Sequence, residues 1–429
     1  MQENVFSINY QKQYIATPKS EIHFIQDKID LKKLFFSSES AANDNTSGNC
    51  PQAKTEASNG RGDPARKNDC SLAFVNTSGR RLFTIDTNVA ALPCLKNFVA
   101  LFAANQNKKA SPKSAAAKIK PGVYDGSGAA KGNALVIVQA GEKHKTIKTV
   151  LQIVEAALDR AFTRKDVFCA IGGGVLTDMT AFAASLYKRG ALCEFVPTSL
   201  LAMVDAAMGG KTGCDFDDYK NMIGAFYPAR ALYVYPDFVQ SLNEREYRSG
   251  FAEAFKTALL YDKKMFAEIS KKRELVKKRD KAFVFKMIQA CAKAKARVVQ
   301  KDMTEKNIRM QLNLGHTFGH ALETCAGLGK IAHGDAVAWG IGRALCLSQK
   351  LGLCPDEYKE KVFELLEYFG WETAAAPKCF CPKDGAKKIL CAMKRDKKNS
   401  SSKIRVILQS GLCETVITEV SDKDILKCL

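Results

Sequence analysis

The sequence predicts an α/β protein in two parts, a parallel sheet covered by helices followed by a mostly α-helical region. Three observations carry this. Short β-rich runs alternate with helical ones from about residue 80 to residue 200, a glycine triplet (Gly172, Gly173, Gly174) stands at a strand-to-helix turn, and from Glu244 onward helix follows helix with lysine on the exposed faces. The 429 residues suffice for two or three domains. With 46% hydrophobic and 26% charged residues the chain has globular usage, which excludes disorder throughout. No apolar run approaches the roughly 18 residues of a spanning helix, so no membrane partner is expected. Glu3 lies where a signal peptide would be basic and no apolar run follows it, so the expected location is cytoplasmic.

Taken in order, residues 37–71 contain no aromatic or branched aliphatic side chain and read as a disordered insertion. Arg81–Asp86 reads as a strand. Residues 105–131, with six lysines and two prolines, read as a second disordered insertion. Asn133–Val138 is the next strand, and Val150, Leu151, Val154 and Leu158 fall on one face of the helix after it. Asp166–Ile171 is a third strand, running into the glycine triplet and a helix over about Leu176–Tyr187. The expected domains are 1–243, α/β, and 244–429, α-helical.

The 15 cysteines are scattered through a long chain, which favours reduced, packed thiols over a disulfide framework. A net charge of +20 attracts anions of any kind and does not choose among them. The basic run Lys271–Lys281 reads as a solvated helix face, and no specific nucleic-acid partner is expected.

Three groups of residues suggest chemistry. The glycine triplet lets backbone approach a pyrophosphate at a helix N-terminus, although a plain tight turn has the same sequence and the spacing is not GxGxxG. Three of only five histidines, His316, His320 and His333, fall close together. His316 and His320 share one helix face, a spacing that suits a metal but also a pair of satisfied core or surface histidines. Glu253 lies on an apolar segment, where a lone carboxylate is costly unless paired or metal-bound. Asp205, Gly209-Gly210-Lys211 and Lys220-Asn221 set charges among glycines and apolar residues. A P-loop is excluded because its first glycine would fall on Asp205, yet a glycine-bounded lysine still suits a phosphate or a carboxylate.

With these pieces in order the chain resembles the 3-dehydroquinate synthase family of sugar phosphate cyclases. The resemblance runs through Asp86-Thr-Asn88, Gly141–Lys145, GGGVLTDMTAFAASLYKRG from Gly172, VPTSLLAMVDAAMGGKTG from Val196, KNMIGAFYP from Lys220, LNEREYRSGFAEAFK from Leu242, RMQLNLGHTFGHALE from Arg309, HGDAV from His333 and MKRDKK from Met393. It implies a Rossmann-like NAD-binding domain, a helical metal- and substrate-binding domain, a homodimer, and zinc, with cobalt as an alternative ion. The implied metal ligands are Glu253, His316 and His333. His320 becomes an active-site residue that is not a ligand, overruling the pairing that spacing alone suggests. NAD would meet Asp86, Asn88, Glu142, Lys145, Gly173, Gly174, Asp178, Thr198, Ser199, Lys220, Ser241, Leu242 and Glu246. The small anionic sugar-phosphate substrate would meet Asp205, Lys211, Asn221, Lys256, Lys295, Arg309, Asn313, His320 and Lys397, with Arg189 reaching in from a neighbouring subunit. Cations with Asn and His donors are what a carboxylate and a phosphate require.

The implied reaction uses transient NAD oxidation, phosphate elimination, re-reduction and an intramolecular aldol closure. Arg309 and Asn313 match the carboxylate-binding part of the family and favour it over cyclases whose substrates lack that group. Seven positions depart from the family pattern: Ala181, Asp215, Tyr219, Asn243, Met303, Asn307 and Asp335.

Overall fold

The computed structural model describes residues 5–10, 19–26, 28–36, 79–103, 120–217, 219–327, 329–380, 382–395 and 403–429. The insertion expected over residues 37–71, most of 105–131, and Lys397 lie outside them.

Ten strands belong to the first part: β1 (Val5–Asn9), β2 (Lys19–Phe24), β3 (Arg81–Asp86), β4 (Gly122–Asp125), β5 (Ala134–Val138), β6 (Val167–Gly172), β7 (Leu192–Pro197), β8 (Lys211–Phe216), β9 (Tyr219–Phe226) and β10 (Ala231–Val234). Eight of them form one sheet in the order β1-β2-β10-β7-β6-β3-β5-β4. The inner pairings are parallel and the two outer ones, β1 with β2 and β4 with β5, antiparallel. β5, β6 and β10 are buried along their whole length, as helices on both faces of a parallel sheet require. Glu194 of β7, fully buried, accepts from Arg81 Nε at 3.0 Å and Arg230 Nε at 2.9 Å, so its charge is paired and ties β7 to β3 and to the entry of β10.

The helices are α1 (Leu31–Phe36), α2 (Thr87–Ala90), α3 (Lys96–Ala103), α4 (Ile147–Asp159), α5 (Gly174–Leu186), α6 (Glu244–Tyr261), α7 (Lys263–Lys271), α8 (Arg273–Lys277), α9 (Lys281–Lys301), α10 (His316–Ala326), α11 (His333–Lys350), α12 (Asp356–Tyr368), α13 (Gly385–Arg395) and α14 (Asp422–Leu426). β11 (Ile404–Gly411) and β12 (Glu414–Val420) form a hairpin inside the helical part. Among the described residues no helix is long and apolar enough to cross a membrane, and every cysteine is free of disulfide bonds.

Two expectations are corrected. Residues 120–131 are ordered: β4 pairs with β5, Ala130 is fully buried, and Ser127 donates through its N–H (2.8 Å) and Oγ (2.6 Å) to Leu101 O. Lysine and glycine content misled there because an edge strand needs few apolar residues. The buried stripe of α4 is Thr149, Val150, Ile153, Ala156 and Ala157, while Leu151 and Leu158 face outward at 48% and 54% exposure.

Candidate active site

The C-terminal ends of β3, β6 and β7 set Asp86, Gly172 and Pro197 along one edge of the sheet, where ligands of such sheets bind. Gly173 begins α5 with no side chain capping its first turn, leaving that end to backbone N–H groups. Behind it, buried Lys145 donates to Asp178 Oδ2 at 2.7 Å and to Asn221 Oδ1 at 2.6 Å. Burial would lower the Lys145 pKa, but the charges of Asp178 and Glu142 outweigh it and raise it. Thr198 N donates to Gly172 O at 2.9 Å, and Ser199 Oγ accepts from Ala202 N.

From the other side come the first residues of α10 and α11 and the middle of α6. α10 crosses α11 at contact distance because Gly340 has no side chain: a β-carbon there would lie 2.0 Å from Gly315 O. α6 is fixed to α11 by Gly334 N, which donates to Ser249 Oγ at 3.0 Å. A two-pronged Arg248–Asp335 pair, both bonds 2.8 Å, adds to this.

This framework gathers Glu253, His316 and His333. Their ligand atoms lie within 4.8 Å of one another. His316 Nε2 is 3.6 Å and His333 Nε2 3.4 Å from Glu253 Oε1. Glu253 is fully buried, and neither oxygen accepts a hydrogen bond of good geometry, although the Lys256 ammonium is in ion-pair contact. His316 Nδ1 donates to Leu314 O at 3.2 Å, which leaves the Nε2 lone pair facing the carboxylate. A buried carboxylate short of donors beside two imidazole nitrogens is a donor set for zinc or a similar divalent ion. Burial would raise Glu253, yet Lys256 and His333 hold it down to about 2. Burial would lower His333, yet Glu253 and Glu323 hold it up to about 10, an excess of negative charge that a divalent cation would neutralise. With Glu323 and His333, His320 forms a second group of possible ligands, but the group around Glu253 takes His333 from the next helix rather than His320. His320 stands beside it, its ring 5.2 Å from that of His316 and 5.9 Å from that of His333.

Cations surround this centre. Lys295, buried, donates to Asp205 Oδ1 and to Asp205 O, both at 2.6 Å, and Lys256 is buried against Glu253. Lys211 and Asn313 both contact Glu305. Arg309, 2% exposed, donates to Gly209 O at 2.9 Å and to Met303 O. Gly209 has φ +93°, and a β-carbon on it would lie 2.6 Å from Arg309 Nη2, so only glycine seats this guanidinium.

The structure does not draw every candidate into these clusters. Asp86 caps α2 through Asn88 N and Val89 N, and Asn88 is exposed. Ser241 caps its own turn, Leu242 is half-buried, and Glu246 is exposed in the first turn of α6. Arg189 is exposed at φ +62° and makes no hydrogen bond or ion pair with another candidate among the described residues. Four residues that sequence reasoning passed over join the site: Glu323, Glu305, Arg248 and Asp302. Glu323 was legible as the third member, after His316 and His320, of one helix face at spacings of four and three.

The fold is that of the sugar phosphate cyclases. The 2-epi-5-epi-valiolone synthase of Streptomyces hygroscopicus, with NAD+ and Zn2+ bound, superposes with a TM-score of 0.69 at 25% identity, over 82% of this chain and 90% of that one. A 2-deoxy-scyllo-inosose synthase complexed with carbaglucose-6-phosphate, NAD+ and Co2+ gives 0.71 at 20% identity, over 99% and 98%, and shares the fold. Residues 135–249 match the family described as 3-dehydroquinate synthase N-terminal, and residues 250–399 the one described as 3-dehydroquinate synthase C-terminal. The 3-dehydroquinate synthase of Acidithiobacillus ferrooxidans is 40% identical over 283 residues, 66% of this chain and 76% of the relative. That of Synechocystis sp. is 35% identical over 293 residues, 68% and 80%. The chain belongs to the 3-dehydroquinate synthase family.

Proposed function

We propose that this protein is a 3-dehydroquinate synthase, a phosphate-eliminating carbon–oxygen lyase of the shikimate pathway. It converts 3-deoxy-D-arabino-heptulosonate 7-phosphate to 3-dehydroquinate and phosphate. The observation that carries the reading is the convergence of Glu253, His316 and His333 with buried Lys256, Lys295 and Arg309. When bound, NAD takes and returns a hydride, and a divalent metal held by Glu253, His316 and His333 polarises the oxygen concerned.

The chain's own residues bind and orient. Residues 1–243 serve NAD, with the uncapped start of α5 and the Lys145–Asp178 pair at its pyrophosphate side, and residues 244–429 hold metal and substrate. Lys211, Lys256, Lys295, Arg309 and Lys397 hold the substrate's phosphate and carboxylate, and Asn221, Asn313 and His320 donate to its oxygens. Fixing both anionic ends places the reacting carbons for each step. His320, beside the metal group, moves protons, and Asp205 keeps Lys295 charged and aimed. We further propose a homodimer in which Arg189, on its exposed left-handed turn, reaches a neighbouring site. A cytoplasmic location fits cysteines that, among the described residues, form no disulfide.

The test incubates zinc-loaded protein and catalytic NAD with the sugar phosphate, following phosphate release and product mass. Dehydroquinate without net NADH, lost with chelator or in H316A, is the expected result. Bound zinc and NAD without turnover would overturn the reading.

A further inference from the structure

We infer that Glu323 is a positioning residue that holds the metal ligand His333 and ties it to Lys220 on the opposite side of the site. The inference rests on the metal assignment proposed above.

Glu323 is on α10, seven residues after His316, and is 5% exposed. Its two oxygens face different partners. Oε2 lies 3.5 Å from His333 Nδ1, and Oε1 accepts from Lys220 Nζ at 3.0 Å. The other ring nitrogen of His333, Nε2, faces Glu253. A carboxylate beside Nδ1 keeps the proton there, leaves Nε2 as the ligand atom and sets the plane of the ring. His333 needs such a partner more than His316 does. His316 is oriented by the Leu314 carbonyl two residues away, whereas the group facing Nδ1 of His333 is the Glu323 carboxylate itself. Lys220 belongs to the β8–β9 hairpin, outside the helical part that carries the metal group. One carboxylate therefore joins a lysine of the sheet-bearing part to a ligand of the helical part, and the ordering of the two is linked.

Zinc affinity of the full chain, measured by competition with a chromophoric chelator, reads this directly. E323Q keeps the shape and loses the charge, and it is expected to bind zinc about 10–100-fold more weakly. The metal-free form should lose some stability with the Lys220 and His333 pairs, so affinities are compared at a temperature where both metal-free proteins are folded, and the visible spectrum of the cobalt-loaded form should shift. E323D, one methylene too short to touch both partners, is expected to fall between E323Q and the parent. K220M frees one end of the carboxylate and is expected to weaken zinc several-fold, but to add nothing in an E323Q background. Parent-like zinc affinity in E323Q would overturn the positioning role, and additive effects of K220M and E323Q would overturn the link. If E323Q does not fold, E323D and K220M carry the same decision. H316A separates the two levels of argument: zinc retained in H316A defeats the metal assignment, while zinc lost in H316A but retained in E323Q defeats only this inference.

Discussion

Replacing Gly334 by alanine tests whether the contact between α6 and α11 sets the metal group. A β-carbon on Gly334 would lie 2.1 Å from Ser249 O and 2.5 Å from Ser249 Cα. Both are backbone atoms of a buried helix, so neither swings aside. Restoring an ordinary carbon–oxygen separation of about 3.3 Å parts the helices by roughly 1 Å. That strains the Gly334–Ser249 bond and the Arg248–Asp335 pair, and His333, one residue earlier, moves with them. Ligand distances at a zinc site tolerate about 0.2 Å, so the displacement exceeds the tolerance several-fold. The expected result is zinc affinity lower by on the order of 100-fold, with about 1–3 kcal/mol of overpacking cost in the metal-free protein. Chelator competition reads the first and denaturant unfolding the second. Gly342 supplies the control on the same helix: its β-carbon would meet only side chains of Phe363 and Leu366, at 3.6 Å or more, so G342A should be neutral or stabilise by up to about 1 kcal/mol. Parent-like zinc binding in G334A, or an equal loss in G342A, refutes the reasoning.

Two further outcomes follow from other contacts. Asp302 accepts from Lys306 N (3.0 Å), Asn307 N (2.7 Å) and Arg309 N (3.0 Å) and so shapes the loop carrying Glu305 and Arg309. D302A should raise KM for the sugar phosphate about tenfold or more while zinc affinity stays within about twofold, as steady-state kinetics and chelator competition would show. Asp205 is held down from 3.8 to about 2: burial would raise it, but the charges of Lys295 and Lys256 prevail. A depressed carboxyl stabilises above its unfolded pKa and loses that contribution as pH falls through its folded one. Some 2 kcal/mol should therefore disappear between about pH 4 and pH 2, and metal-free D205N should show a shallower acid slope in denaturant unfolding.

Much of the sheet was legible because inner parallel strands are apolar throughout. Arg81–Asp86 runs as read, and the strands read at Asn133 and Asp166 begin one residue later. The hairpins were not legible. β9 has no buried residue along its length, so its sequence shows no apolar face, and the glycines before Lys211 at its partner β8 gave no strand signal. The metal group was half visible. Rare histidines and a carboxylate on an apolar helix announce a site, but choosing His333 over His320 depends on how α11 crosses α10, which no local spacing encodes. Glu323 shares a helix face with His316 and His320, whereas Glu305 becomes part of the site only through Lys211, more than ninety residues away in sequence.

The departures from the family pattern bear on whether such a site works. Asp335, shorter than the usual glutamate, still meets Arg248 with both oxygens and so does not leave His333 loose. Asp215 accepts from Asn221 N at 2.7 Å and donates its own N–H to Lys145 O, holding Lys145 and its partner Asn221 in register. Asn243, in place of proline, caps α6 through Glu246 N at 2.9 Å, at the head of the helix that carries Glu253. Asn307 gives its N–H to Asp302 Oδ2 at 2.7 Å. Ala181 is fully buried in α5, where a methyl group suits a helix better than glycine does. The Met303 carbonyl, which any residue would offer, holds Arg309. Tyr219 is exposed and nothing in the structure explains it. Three of the seven, Asp215, Asn243 and Asp335, thus make side-chain contacts that support neighbouring site residues.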